Sequence, residues 1–231
     1  MKITVMTLAR RRSRFLSHFI FNFLNTTADL DNTELLVMAS EDDDWNADLF
    51  KFFANHPSIK FFFENEKLGK YGRHIFFNRL AKEATGEWLL HTCDDQIFIL
   101  DGWDNYVRKY VKDNHIDSNK INFLIPRFDN TGFVDHFLSR GYLEQAGWIG
   151  GFGNIDSWIN NVREGLSTDR THLMEEKMMR DLTLYPEIYS PEYLNCDISC
   201  GLELPKWEDP IIKNGIDLDI EKLNNAILDG H

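Results

Sequence analysis

Residues 86–104 of this chain read GEWLLHTCDDQIFILDGWD, which combines a short apolar run with several carboxylates. The run WLLHT at 88–92 is short and largely apolar, which is typical of a buried β-strand in an α/β sheet. Directly after it come Asp94 and Asp95, so the predicted strand ends in two carboxylates. The stretch therefore predicts a strand that carries acidic side chains to one edge of a sheet, followed by a helix at 103–111.

Segments typical of strands and helices alternate on the N-terminal side of this stretch. The predicted strands have apolar residues in short runs, and the predicted helices have them at helical spacing. The strands are expected at 2–7, 34–39 and 58–63, and the helices at 12–24, 46–53 and 73–84. This alternation predicts an α/β fold in which helices cover a mostly parallel sheet.

The C-terminal half contains fewer regular patterns. A strand is expected at 121–125, helices at 139–146 and 156–166, a Gly-rich loop at 147–154 and a short terminal helix at 217–228. Residues 186–210 hold four prolines and little periodicity. We therefore expect that segment to wrap the surface without regular structure.

Composition and charge limit the classes of protein and partner that fit this chain. Its 231 residues suit one α/β domain, or one domain with a small appendage. Lys and Arg total 25 and Asp and Glu total 37, which gives a net charge of −12. Because such a surface repels phosphate backbones, DNA is disfavoured as a partner except through a local basic groove.

Three features predict where the protein resides. The N-terminal apolar stretch is too short for a signal peptide. A run of about 18 apolar residues is absent from the sequence, so no membrane span is predicted. The three cysteines are odd in number and lack the spacing of a disulfide scaffold, which favours a reducing, cytoplasmic setting.

Two of the predicted strands end in acidic clusters, at residues 42–44 and 94–95. Ligands of open parallel sheets bind beyond the carboxyl ends of the strands, so both clusters are expected to face one crevice. Crowded carboxylates there predict a hard divalent cation that holds a diphosphate, and the alternative is a pair of solvated turns. Basic residues follow the first and third strands at the same edge and could bind phosphates: Arg10, Arg11, Arg12, Arg14, Lys67, Lys70 and Arg73.

From about residue 3 to residue 107, the chain resembles GT-A-type glycosyltransferases of the broad family-2-like group. Four segments carry the resemblance: Thr7-Leu8-Ala9-Arg10, MASEDDDW at 38–45, the helix with Asn78-Arg79 leading into ATGEWLL, and residues 93–104. Weaker similarity continues through SRGYLEQAG at 139–147 and GGFGNIDSW at 150–158, and little remains beyond about residue 166.

The resemblance implies a GT-A, Rossmann-like fold and an enzyme. Residues 1–210 would form one glycosyltransferase domain, with a nucleotide-sugar half at 1–110, an acceptor half at 111–210 and a helical tail at 211–231. The implied reaction transfers a hexosyl or pentosyl group from a UDP-sugar, with Mn²⁺ or Mg²⁺ and with inversion. The acceptor is open: a glycan, a small molecule or a modified nucleobase.

The resemblance also implies roles for individual residues. The donor would contact Thr7, Arg10, Asp42 or Asp43, Arg73, Asn78, Asp94 and Asp95. Asp95 would be the direct metal ligand, with His172 as the candidate to complete the metal site and His136 as its rival. Cys93 departs from the pattern, because many members have Asp there and a thiol bonds a ribose less well.

Inverting transfer also needs a carboxylate to take the proton of the acceptor hydroxyl, and Asp156 is the candidate. The alternative is that Asp156 caps a helix. Glu175 and Glu176 are the second candidates for this base, although their pattern is typical of an exposed helix face. Trp148 is the expected platform for a sugar, whereas Trp103 and Trp158 are expected to pack in the core.

Two other functions fit parts of the sequence. A sugar nucleotidyltransferase shares a related sheet but would need a Gly-rich phosphate loop after the first strand, where this chain has Leu8-Ala9-Arg10. A binding module for a nucleotide or sugar, without catalysis, is the other alternative, and Cys93 supports it.

Overall fold

The computed structural model describes residues 1–9, 12–40, 44–64, 72–129, 135–151, 155–182 and 210–231. Within these ranges the strands are β1 Ile3–Ala9, β2 Thr33–Ser40, β3 Ile59–Glu64, β4 Trp88–Cys93, β5 Gln96–Phe98, β6 Phe123–Phe128, β7 Phe137–Ser139 and β8 Thr171–Asp181. The helices in the same ranges are α1 Ser13–Thr26, α2 Asp44–Phe53, α3 Arg73–Glu83, α4 Trp103–Asp113, α5 Arg140–Ala146, α6 Ile155–Gly165 and α7 Pro210–Leu228. The molecule is thus an α/β protein, as predicted.

The strands form one sheet in the order β3-β2-β1-β4-β7-β6-β8-β5. The four strands predicted in the first 95 residues lie side by side and run parallel, with Thr7 of β1 opposite both Val37 of β2 and Thr92 of β4. Because these strands are parallel, the segments that follow them meet at one edge of the sheet. The acidic turn at 94–95 lies at this edge.

Helices cover both faces of the sheet, so the central strands are buried throughout. One face packs against α1, α2 and α4, where the Trp103 and Phe98 rings stack with centroids 4.1 Å apart. The other face packs against α3, α5, α6 and α7, with Trp158 fully inside. A strand covered on both sides must be apolar on both sides, which explains the unbroken runs that identify β2 and β4.

The structure corrects the sequence-based expectations at two places. Glu175 and Glu176 are exposed as expected, but they lie on strand β8 and not on a helix. Apolar and polar residues alternate only weakly in this long strand. The strand is therefore held by its pairing with β6 and β5. The terminal helix begins at Pro210 and not at residue 217, because its N-terminal part packs Ile212 and Ile216 into the core.

No helix in the described ranges is long and apolar enough to cross a membrane. Apart from Pro210, the proline-containing segment at 186–210 lies outside the described residues.

Candidate active site

The acidic turn between β4 and β5 is held by an ion pair with α1. The Arg12 side chain, just before α1, contacts Asp94 Oδ1 with Nη1 at 2.9 Å and Asp95 Oδ2 with Nη2 at 2.6 Å. Asp94 is buried, and Asp95 and Arg12 are nearly so. Burial alone would lower the pKa of Arg12, but Asp94 and Asp95 outweigh it and raise the pKa, so the guanidinium stays charged.

Backbone and amide contacts fix the shape of this turn. Gln96 Oε1 accepts hydrogen bonds from Cys93 N, at 3.1 Å, and from the Thr92 hydroxyl. The Asp95 carbonyl accepts a bond of 2.8 Å from Leu182 N at the end of β8. The two carboxylates are therefore presented by a rigid turn, even though β5 was not predicted.

Thr7 lies near the carboxyl end of β1. Its side chain is fully buried, and Oγ1 makes no hydrogen bond within the described residues. Its contact with the nucleotide stays a prediction.

A second cluster of ionisable groups, His91, Asp135 and Asp156, lies behind the turn. His91 Nε2 and Asp156 Oδ1 are 2.6 Å apart. The side chains of His91 and Asp156 are 3% and 22% exposed, so the carboxylate is the more accessible partner. Asp135 is buried, and its Oδ2 has no hydrogen-bond partner in the described structure.

The charges in this cluster act on one another. Burial alone would lower the pKa of His91 and raise that of Asp156, but their mutual bond outweighs it, so the pKa of His91 is raised and that of Asp156 is lowered. Burial, followed by the Asp156 charge, raises the pKa of Asp135 to about 8. Burial, followed by the charges of His91 and Arg163, lowers the pKa of His136 to about 3. His136, the rival metal ligand, is therefore a neutral neighbour of the pair.

Cys93 connects the two groups of carboxylates. Burial raises the pKa of its thiol well above the usual value, and the charges of Asp95, Asp135 and Asp156 act in the same direction while Arg73 opposes them. The turn, the buried cluster and the first residue of α3 thus all act on the Cys93 thiol. The contact of Arg73 with the donor stays a prediction.

Asn78 has a contact that the sequence did not predict. Its Oδ1 accepts from Ile149 N at 2.7 Å and its Nδ2 donates to the Gly150 carbonyl at 2.9 Å. Asn78 therefore ties α3 to the loop after α5 through both of its polar atoms. The structure thus shows Asn78 holding this loop, and its contact with the donor stays a prediction.

His172 does not reach the acidic turn. It lies at the amino end of β8, with Nε2 3.2 Å from Asn122 Oδ1, whereas Asp181 at the other end of β8 pairs with Gln96. Nine residues of strand separate the two ends, or about 30 Å at ~3.3 Å per residue. His172 is thus too distant to share a metal ion with Asp95.

The burial of Trp103, Trp148 and Trp158 agrees with the expectation from the sequence. Trp103 and Trp158 are buried, and Trp148 is 36% exposed. The Trp148 and Trp158 indoles both donate to the Asp219 carboxylate of α7, at 3.0–3.1 Å and 3.0 Å. Trp148 is thus a partly accessible ring held in place by α7.

Several residues expected at the site lie outside the described residues: Arg10, Arg11, Asp42, Asp43, Lys67 and Lys70. The structure also reveals two that the sequence did not single out for the site. His91 interrupts an otherwise apolar strand, which was the available signal. Asp135 precedes a strand of only three residues, so no pattern marked it.

His91, Asp135 and Asp156 could hold a metal ion, since their ligand atoms all lie within 4.8 Å of one another. The Asp94–Asp95 turn is the other candidate, because it places two neighbouring carboxylates at the edge of the sheet. Oxygen ligands there suit Mg²⁺ or Mn²⁺, and the nitrogen in the buried cluster suits Mn²⁺ better than Mg²⁺.

No protein-family profile matches the sequence, and a search of curated protein sequences finds no significant match. Solved structures do share its fold. One is S. aureus TarS 1-349 in complex with UDP, with a TM-score of 0.65 and 11% identity over 100% of this chain and 92% of that one. Another is the mannosyltransferase PcManGT from Pyrobaculum calidifontis in complex with GDP-Man and Mn²⁺, with a TM-score of 0.63 and 14% identity over 99% of this chain and 74% of that one.

A third similar structure is TarS 1-349 in complex with UDP-GlcNAc, with a TM-score of 0.61 and 11% identity over 100% of this chain and 73% of that one. Identities this low establish the fold alone. The chain therefore has the GT-A fold of nucleotide-sugar transferases, which confirms the fold that the resemblance implied.

Proposed function

We propose that this protein is a glycosyltransferase that moves a sugar from a UDP-sugar to an acceptor hydroxyl with inversion. The observation that supports it is the accessible Asp156 carboxylate, held by His91, in the same region of a GT-A sheet as the acidic Asp94–Asp95 turn. The first group suits proton abstraction and the second suits a diphosphate held through a cation. The solved structures with UDP, UDP-GlcNAc and GDP-Man support a nucleotide-sugar donor.

The donor would lie along the carboxyl ends of β1, β2 and β4. The buried Thr7 hydroxyl would bond the nucleotide, and Arg73 at the start of α3 would face the diphosphate. Arg10, Asp42 and Asp43 would complete the nucleotide contacts. The acceptor, whether a glycan, a small molecule or a modified nucleobase, would approach from the side of Asp156.

Mn²⁺ or Mg²⁺ fits the Asp94–Asp95 turn better than the buried cluster. Asp95 bonds Arg12 through Oδ2, which leaves Oδ1 for a second cation. In the buried cluster, His91 Nε2 and Asp156 Oδ1 are 2.6 Å apart, too close to ligate one metal at about 2 Å from each without opening. When bound at the turn, the cation would act as a Lewis acid that stabilises the charge of the departing diphosphate.

The chemical step follows from the position of Asp156. One carboxylate oxygen takes the proton of the acceptor hydroxyl while that hydroxyl oxygen bonds to the anomeric carbon of the sugar. The bond from this carbon to the diphosphate breaks, and its electron pair leaves with UDP. Attack from the side opposite the diphosphate inverts the configuration at the anomeric carbon.

A thermal-shift and transfer assay tests this proposal. UDP-sugars with Mn²⁺ should raise the melting temperature, because ligand at 100 times its dissociation constant adds about 2.7 kcal/mol of stability. EDTA and Asp95→Ala should each abolish metal-dependent binding and transfer. Asp229→Ala, which removes an exposed carboxylate near the C-terminus, is the matched control.

The other outcomes distinguish the alternatives. Binding without transfer or hydrolysis of any UDP-sugar would indicate a binding module. Turnover of UTP with a sugar 1-phosphate would indicate a nucleotidyltransferase. Full activity of Asp95→Ala, or activity undiminished by EDTA, would refute the metal assignment.

A further inference from the structure

We infer that His91 is the positioning residue for Asp156: its buried ring holds one carboxylate oxygen and leaves the other to face the crevice. This inference rests on the proposed function, in which Asp156 takes the proton of the acceptor. The sequence resemblance gave no role to His91. Asp135 and His136 lie beside it.

The two partners differ in what they can reach. The His91 side chain is 3% exposed and lies inside β4, the strand between β1 and β7, so it cannot contact a substrate. Asp156 is 22% exposed, in the first turn of α6. The 2.6 Å bond between them therefore connects the rigid centre of the sheet to the one accessible carboxylate of the cluster.

The His91 ring has little freedom to turn. Phe77 of α3 packs edge-on against it, with ring centroids 5.7 Å apart. The backbone of His91 pairs with Met6 of β1. A fixed ring gives a fixed donor, so the Asp156 carboxylate is limited to one orientation before any substrate arrives.

A fixed carboxylate matters because catalysis depends steeply on geometry. A misplacement of about 1 Å can cost about 10²-fold in rate. Asp156 lies in the first turn of α6, and the bond from His91 restrains its side chain.

Substitution of His91 tests the inference. His91→Phe keeps the ring volume but removes the donor, and it should lower kcat about 10²-fold with the donor KM within twofold of wild type. His91→Gln restores a donor at a similar reach and should recover kcat to within about tenfold of wild type. His231→Gln at the exposed C-terminus is the control. Equal kcat for wild type and His91→Phe, or no recovery in His91→Gln, would overturn the inference.

A second measurement does not depend on activity. In ¹⁵N-histidine-labelled protein, the proton on His91 Nε2 should resonate far downfield, as charge-assisted hydrogen bonds do, and this signal should vanish in Asp156→Ala. Absence of the signal in wild type would overturn the inference, even if His91→Phe failed to fold. So would loss of Mn²⁺ binding in His91→Gln, which would make the cluster a metal site.

The outcomes separate the inference from the function on which it rests. If the protein transfers sugar and His91→Phe is as fast as wild type, His91 has no positioning role but the proposed function stands. If no UDP-sugar supports transfer, the proposed function fails and the positioning role fails with it, whether or not the downfield proton is present.

Discussion

Arg12 contacts both carboxylates of the acidic turn. Asp94 is almost fully buried, so the guanidinium stabilises its charge. The Arg12 guanidinium also lies over the Phe15 ring, with its carbon 4.5 Å from the centroid. At the scale of the residue, the site contains one cation of the protein itself, the Arg12 guanidinium, and is proposed to bind a divalent metal ion as well.

Arg12→Met should show how much of the stabilisation of the acidic turn comes from the guanidinium and how much a metal ion can replace. The variant keeps an unbranched side chain of similar length but removes the guanidinium from a buried carboxylate, so we expect a loss of about 3 kcal/mol in the free energy of unfolding without metal. Mn²⁺ should restore more stability to the variant than it adds to wild type. Urea unfolding with and without Mn²⁺ measures both effects, and equal stabilities without metal would contradict the prediction. The stability of Arg12→Lys, which keeps the charge, should lie between the stabilities of wild type and Arg12→Met.

Asp156→Asn tests the base itself. The side chain bonds His91 from inside the first turn of α6, so its described contact is with the sheet and is not a cap on its own helix. We expect transfer to fall about 10²–10⁴-fold while donor affinity stays within a few-fold, because Asn cannot accept the proton. Initial-rate kinetics together with UDP titration provide the measurement. Near-normal transfer by Asp156→Asn would remove Asp156 from the mechanism.

At the scale of the element, helix α7 supports the loop that precedes the site. Asp219 accepts from both indoles of Trp148 and Trp158, and Lys222 donates to the Ala146 carbonyl at 3.1 Å. Asn78 holds the same loop from the other side, on α3. The close approach leaves no space for a side chain at Gly151, where a Cβ would lie 2.7 Å from Trp158 Cη2. Two helices thus hold the described part of this loop, residues 147–151, which precedes α6 and Asp156.

Asp219→Ala should loosen this support. The two indole N–H groups lose their acceptor, and one of them is buried, so we expect a loss of about 1–3 kcal/mol in stability. Tryptophan fluorescence should shift to the red as the indoles meet water, and kcat should fall more than the donor affinity. Asp217→Ala, at an exposed position of the same helix, is the control. An unchanged emission spectrum and unchanged stability would show that α7 does not hold the loop.

At the scale of the whole molecule, Glu34 joins four parts of the chain at the edge of the sheet opposite the site. Its Oε1 accepts from the Thr4 hydroxyl at 2.7 Å and from the Thr85 backbone N–H at 2.7 Å. Its Oε2 lies 3.2 Å from Lys60 Nζ and 3.5 Å from Lys2 Nζ. Burial alone would raise the pKa of Glu34, but the bonds from Thr85 and Thr4 outweigh it and lower the pKa from 4.5 to about 2.

Glu34 therefore makes stability depend on acid pH. A carboxyl group with a lowered pKa stabilises the fold above its unfolded value of 4.5, and this contribution is lost as the pH falls from about 4.5 to about 2. Glu34→Gln should cost about 2–3 kcal/mol at pH 7, with the difference from wild type shrinking through that window. Urea unfolding at several pH values gives the measurement, with the exposed Glu221→Gln as control. A difference that does not change with pH would contradict the prediction.

The sequence by itself determined the parallel half of the fold, because strands covered on both faces need unbroken apolar runs and their helices need a 3.6-residue period. It also placed Asp94, Asp95, Thr7 and Arg73 at one edge, since parallel strands bring the segments that follow them together. Only the tertiary structure decided the rest. Strand β8 depends on its neighbours for pairing, and the end of β8 that carries His172 lies away from the acidic turn. His91, Asp135 and Asp156 meet because the chain crosses the sheet between them, and no local pattern encodes a contact between residues so far apart in sequence.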